Sequence, residues 1–420
     1  MKVEIITIGD ELLIGQVVDT NSAWMGRILN DIGFEIVHKT VVGDDVDAII
    51  AAINAAKNRV SLVLMTGGLG PTKDDITMRT LCRFFNCGLR FSEEVHANIE
   101  RIFSRNGRSM NELTHMQAMV PDKCTVIQNQ AGTAPCTWFE QDGLTLISMP
   151  GVPSEMKWLM TNEIVPRLTK RFRQDLYILH RSFWVIGFTE SALAIRLTEF
   201  EDQLPPEVKL AYLPQSGIIR LRLSTYCKQE EEALHAINTQ QELLQDALGE
   251  HILAEDDRNI SEIVGDRLRE KGWKVGTAES CTGGAIAALL TATSGSSDYY
   301  VGSIVAYSNL VKQNVLGVSA TDLQQHGAVS REVVEQMAKG ALKVLGCDCA
   351  IATSGIAGPN GGTPEKPVGT VWIAVANKDA VISECCMFGI VREQNIQRAV
   401  HTGLLMLMEM IGGSAINRHR

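Results

Sequence analysis

Several features that would assign this chain to a large class are missing. No apolar run approaches the roughly 18 to 20 residues that span a bilayer. Met1-Lys2-Val3-Glu4 runs on toward Asp10-Glu11, with acids where an export signal carries its apolar core. A cytoplasmic protein with no membrane partner is therefore expected. Positive charge is not in excess either: 39 Lys and Arg stand against 49 Asp and Glu, a net charge of -10, which makes nucleic acid an unfavoured partner. Ten cysteines are scattered without one CxxC pair, so neither a zinc ribbon nor a redox motif is indicated, and they read as small core residues in a reducing compartment. Nine histidines, His96 and His115 among them, show no ligand spacing. Aromatics make up only 5%, yet 45% of the chain is hydrophobic and 21% charged, the balance of a folded globular protein. At roughly 100 to 200 residues per domain, 420 residues predict two to four domains.

The segment 1–170 alternates strand-like and helix-like patterns: apolar Val3 to Ile8, helical Ser22 to Leu29, extended Phe34 to Val42, helical Val46 to Ala56, and a buried strand from Leu62 to Thr66. Such alternation predicts a parallel sheet covered by helices, with ligands at the carboxyl ends of the strands. Segment 171–252 is a small α+β module without a Gly-x-x-Gly nucleic-acid clamp, since Gly187-Phe188-Thr189-Glu190 ends in an acid. From 256 to 420 the α/β pattern returns. The expected fold is thus two α/β/α sandwiches with mainly parallel sheets, joined by the small α+β module.

Gly67, Gly68 and Gly70, followed by Thr72, Asp74 and Asp75, close the third strand. Glycines at a strand end let backbone N–H groups approach phosphate oxygens, and paired acids at the next helix start suit a divalent cation bridging those phosphates. The bland alternative is a tight turn whose acids favour a helix N-terminus. Glu11 and Asp44 follow two other strands, which favours a site. No Lys-Ser/Thr follows Gly70, so this is not a Walker loop.

The motifs Gly-x-Glu-Leu-Leu-x-Gly-Gln-x-Val-Asp-Thr-Asn-Ser at 9–22, Gly-Gly-Leu-Gly-Pro-Thr-x-Asp-Asp-x-Thr at 67–77, Gly-Thr-Ala-Pro at 132–135 and Pro-Gly-Val-Pro-x-Glu-Met at 150–156 resemble the molybdopterin-binding-type domain of the CinA (competence/damage-inducible) family. The resemblance implies hydrolysis of ADP-ribose to AMP and ribose 5-phosphate. It also implies a divalent metal on Asp74, Asp75, Asp44 and Glu11, and substrate binding by Gly67, Gly68, Gly70 and Thr72. Asp10 and His115-Met116 depart from the usual family residues.

In the last segment a strand over 273–277 runs into Ala278-Glu279-Ser280-Cys281-Thr282-Gly283-Gly284 and an apolar helix. A serine at such a bend is either a nucleophile or an N-cap, and alone the two readings are even. Cys281 competes as nucleophile but has no histidine partner nearby. Tyr307 and Lys312 follow another strand, and a desolvated lysine can lose its proton and act as base to a serine. Thr353 and Ser354 end a further strand with hydroxyls for water or an oxyanion. Arg392, at the start of the last helix, suits a phosphate.

Ala-Glu-Ser-Cys-Thr-Gly-Gly at 278–284, Tyr-Ser-Asn-x-x-Lys at 307–312, His-Gly-Ala-Val-Ser at 326–330 and Gly-Ile-Ala-Gly-Pro-x-Gly-Gly-Thr-Pro-Glu-Lys-Pro-Val-Gly at 355–369 resemble the CinA C-terminal domain, the nicotinamide mononucleotide (NMN) deamidase. The implied reaction converts NMN and water to nicotinic acid mononucleotide and ammonia, with no cofactor. The resemblance puts Ser280, Lys312, Tyr307, Glu279, Thr353 and Ser354 among catalytic residues, and Arg392, Thr282, Gly283, Gly358 and Gly361 among substrate-binding ones. Where relatives read Phe-x-Gly-Asp-Arg, this chain has Phe388-Gly389-Ile390-Val391-Arg392. The expectation is a bifunctional, homodimeric hydrolase of the nucleotide economy. Its rivals are a protein with one live site, and a non-catalytic molybdopterin- or nucleotide-binding protein linked to competence.

Overall fold

The computed structural model describes residues 1–412 except 71, 73–74, 106, 108–109, 173–175, 216–217 and 256–257. Two compact units emerge: residues 1–179 with 225–235, and residues 180–224 with the chain from 236 onward.

In the first unit, Lys2–Ile8 lies parallel between Glu35–Val42 and Leu62–Thr66, and Leu144–Met149 adds a further parallel strand. Cys136–Gln141 and Thr125–Ile127 extend this six-stranded sheet antiparallel. Successive strand side chains point to opposite faces. Val3, Ile5, Leu62, Leu64 and Ile147 therefore join one core, and Ile6, Ile8, Val63, Met65 and Leu146 another. A strand covered on both faces has no polar alternation, which is why Leu62–Thr66 reads as a continuous apolar run up to its last residue. Asp19 and Asp45 start the helices Thr20–Asp31 and Val46–Lys57 by accepting from the N–H groups of Ser22 and Ala48.

The second unit holds a five-stranded sheet in the order Tyr300–Val305, Val275–Glu279, Cys349–Gly355, Thr370–Asn377, Val381–Met387. Its first two pairings are parallel and its last two antiparallel. The final strand was not expected: as a half-exposed edge with Ser383, Glu384 and Cys385 at its centre, it carries no clear period. Branched residues on one face, among them Val275, Ile351 and Ile373, pack under the helices Ile260–Lys271, Ala285–Thr291 and Arg392–Gly412. The opposite face is lined by Ala278, Ala350, Ala352, Ala374 and Ala376. These small residues let the helix Arg331–Leu345 lie close, with Val334, Met337 and Ala338 buried against them.

A smaller sheet runs Val208–Gln215, Ile218–Cys227, Tyr177–Val185, Ile252–Glu255. Trp184, Ile186 and Ile218 from this module share a core with Ile260 and Val264. The architecture is α/β, two helix-covered sheets plus a small α+β module. No helix among the described residues is long and apolar enough to cross a membrane.

Candidate functional site

Val275–Glu279 is flanked on both sides by parallel neighbours, so its carboxyl end lies beside theirs, where a crevice opens in such sheets. Ser280 is the next residue. Its N–H donates to the Thr353 carbonyl at 3.0 Å and its own carbonyl accepts from Gly283, which turns the chain sharply. Gly283 and Gly284 take φ of 61° and 101°, a left-handed path that side chains resist. The helix that follows begins only at Ala285, after Gly284, so Ser280 does not cap it. Its hydroxyl lines a cavity of about 210 Å3 shared with Tyr307, Asn309, Lys312, Val329, Ser354 and Arg392.

Ser308 caps the helix Asn309–Asn314 by accepting from the Val311 N–H, and this fixes Lys312 on its inner face. Lys312 is only 1% exposed. Its Nζ donates to Ser280 Oγ at 3.0 Å, to the Ala306 carbonyl at 2.7 Å and to the Tyr307 carbonyl at 3.4 Å. All three acceptors are uncharged. Burial without a carboxylate partner pulls the amine below its ordinary value, although the Cys281 thiol pulls weakly the other way. The neighbouring Cys281 thiol is pushed by burial up to about 11, so it stays protonated near neutrality and the serine is the better-activated group.

Several expected site residues stand behind the cavity and not in it. Glu279 is fully buried, and its carboxylate accepts from the hydroxyls of Thr277 and Thr282 and from the N–H groups of Gly284, Ile286 and Ala287 at 2.7–3.1 Å. An anion at a helix start satisfies the orphan donors there, so Glu279 and Thr282 hold the bend instead of meeting a substrate. Glu279→Ala would strand those buried donors, with an expected loss of about 3 kcal/mol of stability. Urea denaturation measures it, and an unchanged midpoint would contradict this assignment. Thr353 is likewise off the cavity, its hydroxyl paired with that of Thr282 at 2.8 Å. Ser354 lines the cavity, but its hydroxyl donates to the Ala328 carbonyl at 2.7 Å. Tyr307 offers Lys312 its carbonyl, while its side chain is 64% exposed at the rim.

Arg392 Nη1 donates to the Gly358 carbonyl at 2.9 Å, and Gly358 and Gly361 both take φ of 94° in the loop that passes it. Two residues without an expected role bond the backbone of segments that line the cavity. Lys366 Nζ donates to the carbonyls of His326 and Val329 at 2.7 and 2.8 Å, which ties the segment 355–369 to the segment 326–330. Asn395 bonds Ala357 and Gly389 and thereby steadies the segment before Arg392. Its one signal in the sequence is its place at i+3 from Arg392, on the same helix face.

In the first unit, Gly67 and Gly68 have φ of 113° and 65°. A Cβ on Gly67 would lie 2.2 Å from the Ile8 carbonyl oxygen, and one on Gly68 2.2 Å from Thr77 Oγ1. Thr7, Glu11, Asn21, Thr66 and Gly67 line a cavity of about 120 Å3 there. Asp10 and Asp44 accept from each other's N–H groups at 3.1 and 3.2 Å. Burial raises the Asp44 carboxyl above its ordinary value, and the charges of Asp10, Glu11 and Asp75 add to this. Asp75 is spent on its own loop: it accepts from the Gly70 and Thr72 N–H groups and from the Thr72 hydroxyl at 2.6–2.9 Å. Thr72 is therefore a loop-closing residue, and so is Asp75. Asp74 lies outside the described residues, and among those described no three of His, Cys, Asp and Glu gather as an ion cage.

Comparison with known proteins places the chain in a family. Three family models match in order along the chain: a probable molybdopterin binding domain over 4–170, the damage-inducible protein CinA KH domain over 180–254, and the CinA C-terminal domain over 257–411. A CinA-like protein of Flavobacterium psychrophilum is 42% identical over 98% of this chain and 99% of its own length. Another, from Cytophaga hutchinsonii, is 42% identical over 94% of each. Among solved structures, the competence/damage inducible protein CihA from Agrobacterium tumefaciens is 38% identical, covering 37% of this chain and 97% of its own, with a TM-score of 0.35. With two-fifths identity sustained from end to end and each segment matched in order, the chain belongs to the CinA family.

Proposed function

We propose that the second unit hydrolyses the carboxamide of NMN to nicotinic acid mononucleotide and ammonia. The observation that carries this reading is the buried, uncompensated amine of Lys312 at 3.0 Å from Ser280 Oγ. A neutral Lys312 accepts the serine proton as Oγ attacks the amide carbon, and the resulting ammonium returns that proton to the departing nitrogen. Ammonia leaves and an acyl ester stays on Ser280. The free amine then takes a proton from water, which attacks the ester, releases the carboxylate product and restores the hydroxyl. Arg392, exposed at the rim, supplies a charged fork for the nucleotide phosphate.

Ammonia release from NMN, set beside nicotinamide riboside, tests both claims. NMN should be favoured in kcat/KM by at least about tenfold, as expected for a charge-assisted phosphate contact, and Arg392→Ala should remove that preference. Equal use of both compounds would reject the phosphate role, and no ammonia from either would reject the reaction.

A second reading, ADP-ribose hydrolysis by the first unit, is favoured by the pairing of Asp10 and Asp44 through each other's N–H groups, with burial and the nearby charges of Asp10, Glu11 and Asp75 raising the Asp44 carboxyl, a penalty that a divalent cation would relieve. Two carboxylates with substrate phosphates suit an ion such as Mg2+ better than an all-protein cage does, and Asp10 and Asp44 fit that donor set. The cation would neutralise charge on the pyrophosphate when bound. Asp44→Asn should abolish metal-dependent AMP release while leaving ammonia release from NMN intact. AMP release undiminished by a chelator would remove the cation from this reading.

A further inference from the structure

The helix Thr77–Phe84 ends in a complete Schellman motif. Asn86 takes a φ of 48°, in the left-handed region. Its N–H donates to the Arg83 carbonyl at 3.4 Å, and the Cys87 N–H reaches back to the Cys82 carbonyl at 2.9 Å. This closure brings together the side chains of the third residue from the helix end and the second residue past the cap, a contact usually made by apolar side chains. Here both are cysteines. Both are half-buried and free, and Cys82 Sγ reaches the carbonyl of Gly88, the residue after Cys87, at 3.7 Å. The five-residue spacing hides the pair from a CxxC search, because a Schellman turn and not a CxxC loop makes them neighbours.

We propose that Cys82 and Cys87 form a closable dithiol, a modification site for small-molecule disulfides of the glutathione type at the C-terminal end of this helix. The chemistry is ordinary exchange. The Cys87 thiolate attacks one sulfur of the oxidised reagent, forms a mixed disulfide and expels one thiolate. Cys82 then gives its proton to solvent and displaces the second thiolate. Two protein thiols are oxidised, and one reagent disulfide is reduced to two thiols. Cys82 acts second because burial, with the Cys87 thiol against it, pushes its own thiol up to about 12. Cys87 instead sits on the turn between exposed Asn86 and Gly88. A third sulfur, Cys124, is the competing partner. Its thiol donates to the Pro121 carbonyl at 3.2 Å, and burial pushes it up to about 12 as well. The closed form would brace the helix whose first residue, Thr77, donates its hydroxyl to the Gly67 carbonyl.

Arg83 lies between the two cysteines, so the test reads out directly. The full chain is treated with oxidised glutathione, alkylated, denatured and digested at Lys and Arg. Closure predicts a mass loss of about 2 Da and a disulfide joining peptide 80–83 to peptide 84–90. Cys82→Ser and Cys87→Ser should each prevent the cross-link, and Cys82→Ser should stop at one mixed disulfide on Cys87. Stable mixed disulfides on both cysteines of the parent chain, absence of reaction at both, or linkage of either peptide to peptide 124–157, which carries Cys124, would overturn the proposal.

Discussion

Ser280→Ala is expected to lower kcat for ammonia release from NMN by at least about a thousandfold, the scale on which removal of a covalent nucleophile acts. The reason is local. Ser280 is 9% exposed and lines the cavity, and among the described residues its hydroxyl is the one side-chain acceptor for Lys312. Loss of one oxygen leaves the bend intact, because Glu279 and the Thr282–Thr353 pair hold it. The variant should therefore unfold at the parent's denaturant midpoint. Rapid-quench kinetics give an independent reading: the parent should trap the nicotinoyl mononucleotide as an ester on Ser280, and the variant should trap none. A variant retaining a tenth of the parent rate would move the nucleophile elsewhere, with Cys281 next in line.

The second large effect concerns the base. Lys312→Met and Lys312→Arg should both lose at least about a thousandfold in kcat. Methionine has no basic nitrogen, and arginine keeps its proton at any working pH. A role limited to positive charge predicts instead that arginine rescues. The pH profile carries the sign. Catalysis needs the neutral amine, and burial places its pKa below the ordinary 10.5, so kcat/KM should rise with pH through that lowered value and level off above it. Stability follows the same linkage. Between the lowered value and 10.5 the unfolded chain binds a proton that the folded chain does not, so stability rises with pH across this window. The contribution of Lys312 is fully present above 10.5 and is lost as pH falls through the folded pKa. A rate profile flat through this range in the parent would remove Lys312 as the base.

Much of the fold was legible from the chain. The strand-like segments Val3 to Ile8 and Leu62 to Thr66 are buried parallel strands, and the helix expected over Val46 to Ala56 spans Val46–Lys57. The turn residues marked the strand ends where both cavities lie. The edge strand Val381–Met387 was missed because half-exposure on both faces erases the alternation that identifies a strand. Motif membership also could not separate residues that touch a ligand from those that hold the residues that do. Glu279 and Ser280 are adjacent, yet one faces helix amides and the other faces the cavity. The chain bends sharply after Glu279, and only the surrounding elements decide which of the two neighbours meets a hollow.

The sequence alone determined the α/β architecture, through hydrophobic period and turn residues, because these are local signals repeated at every strand and helix. It also set the net acidity and the candidate nucleophile. Tertiary structure decided whether Lys312 is a surface cation or a buried amine beside a serine 32 positions earlier. It decided too that a helix-end turn folds Cys87 back onto the Cys82 carbonyl. Desolvation and side-chain proximity depend on what folds over a residue from elsewhere in the chain, and no local pattern carries that information.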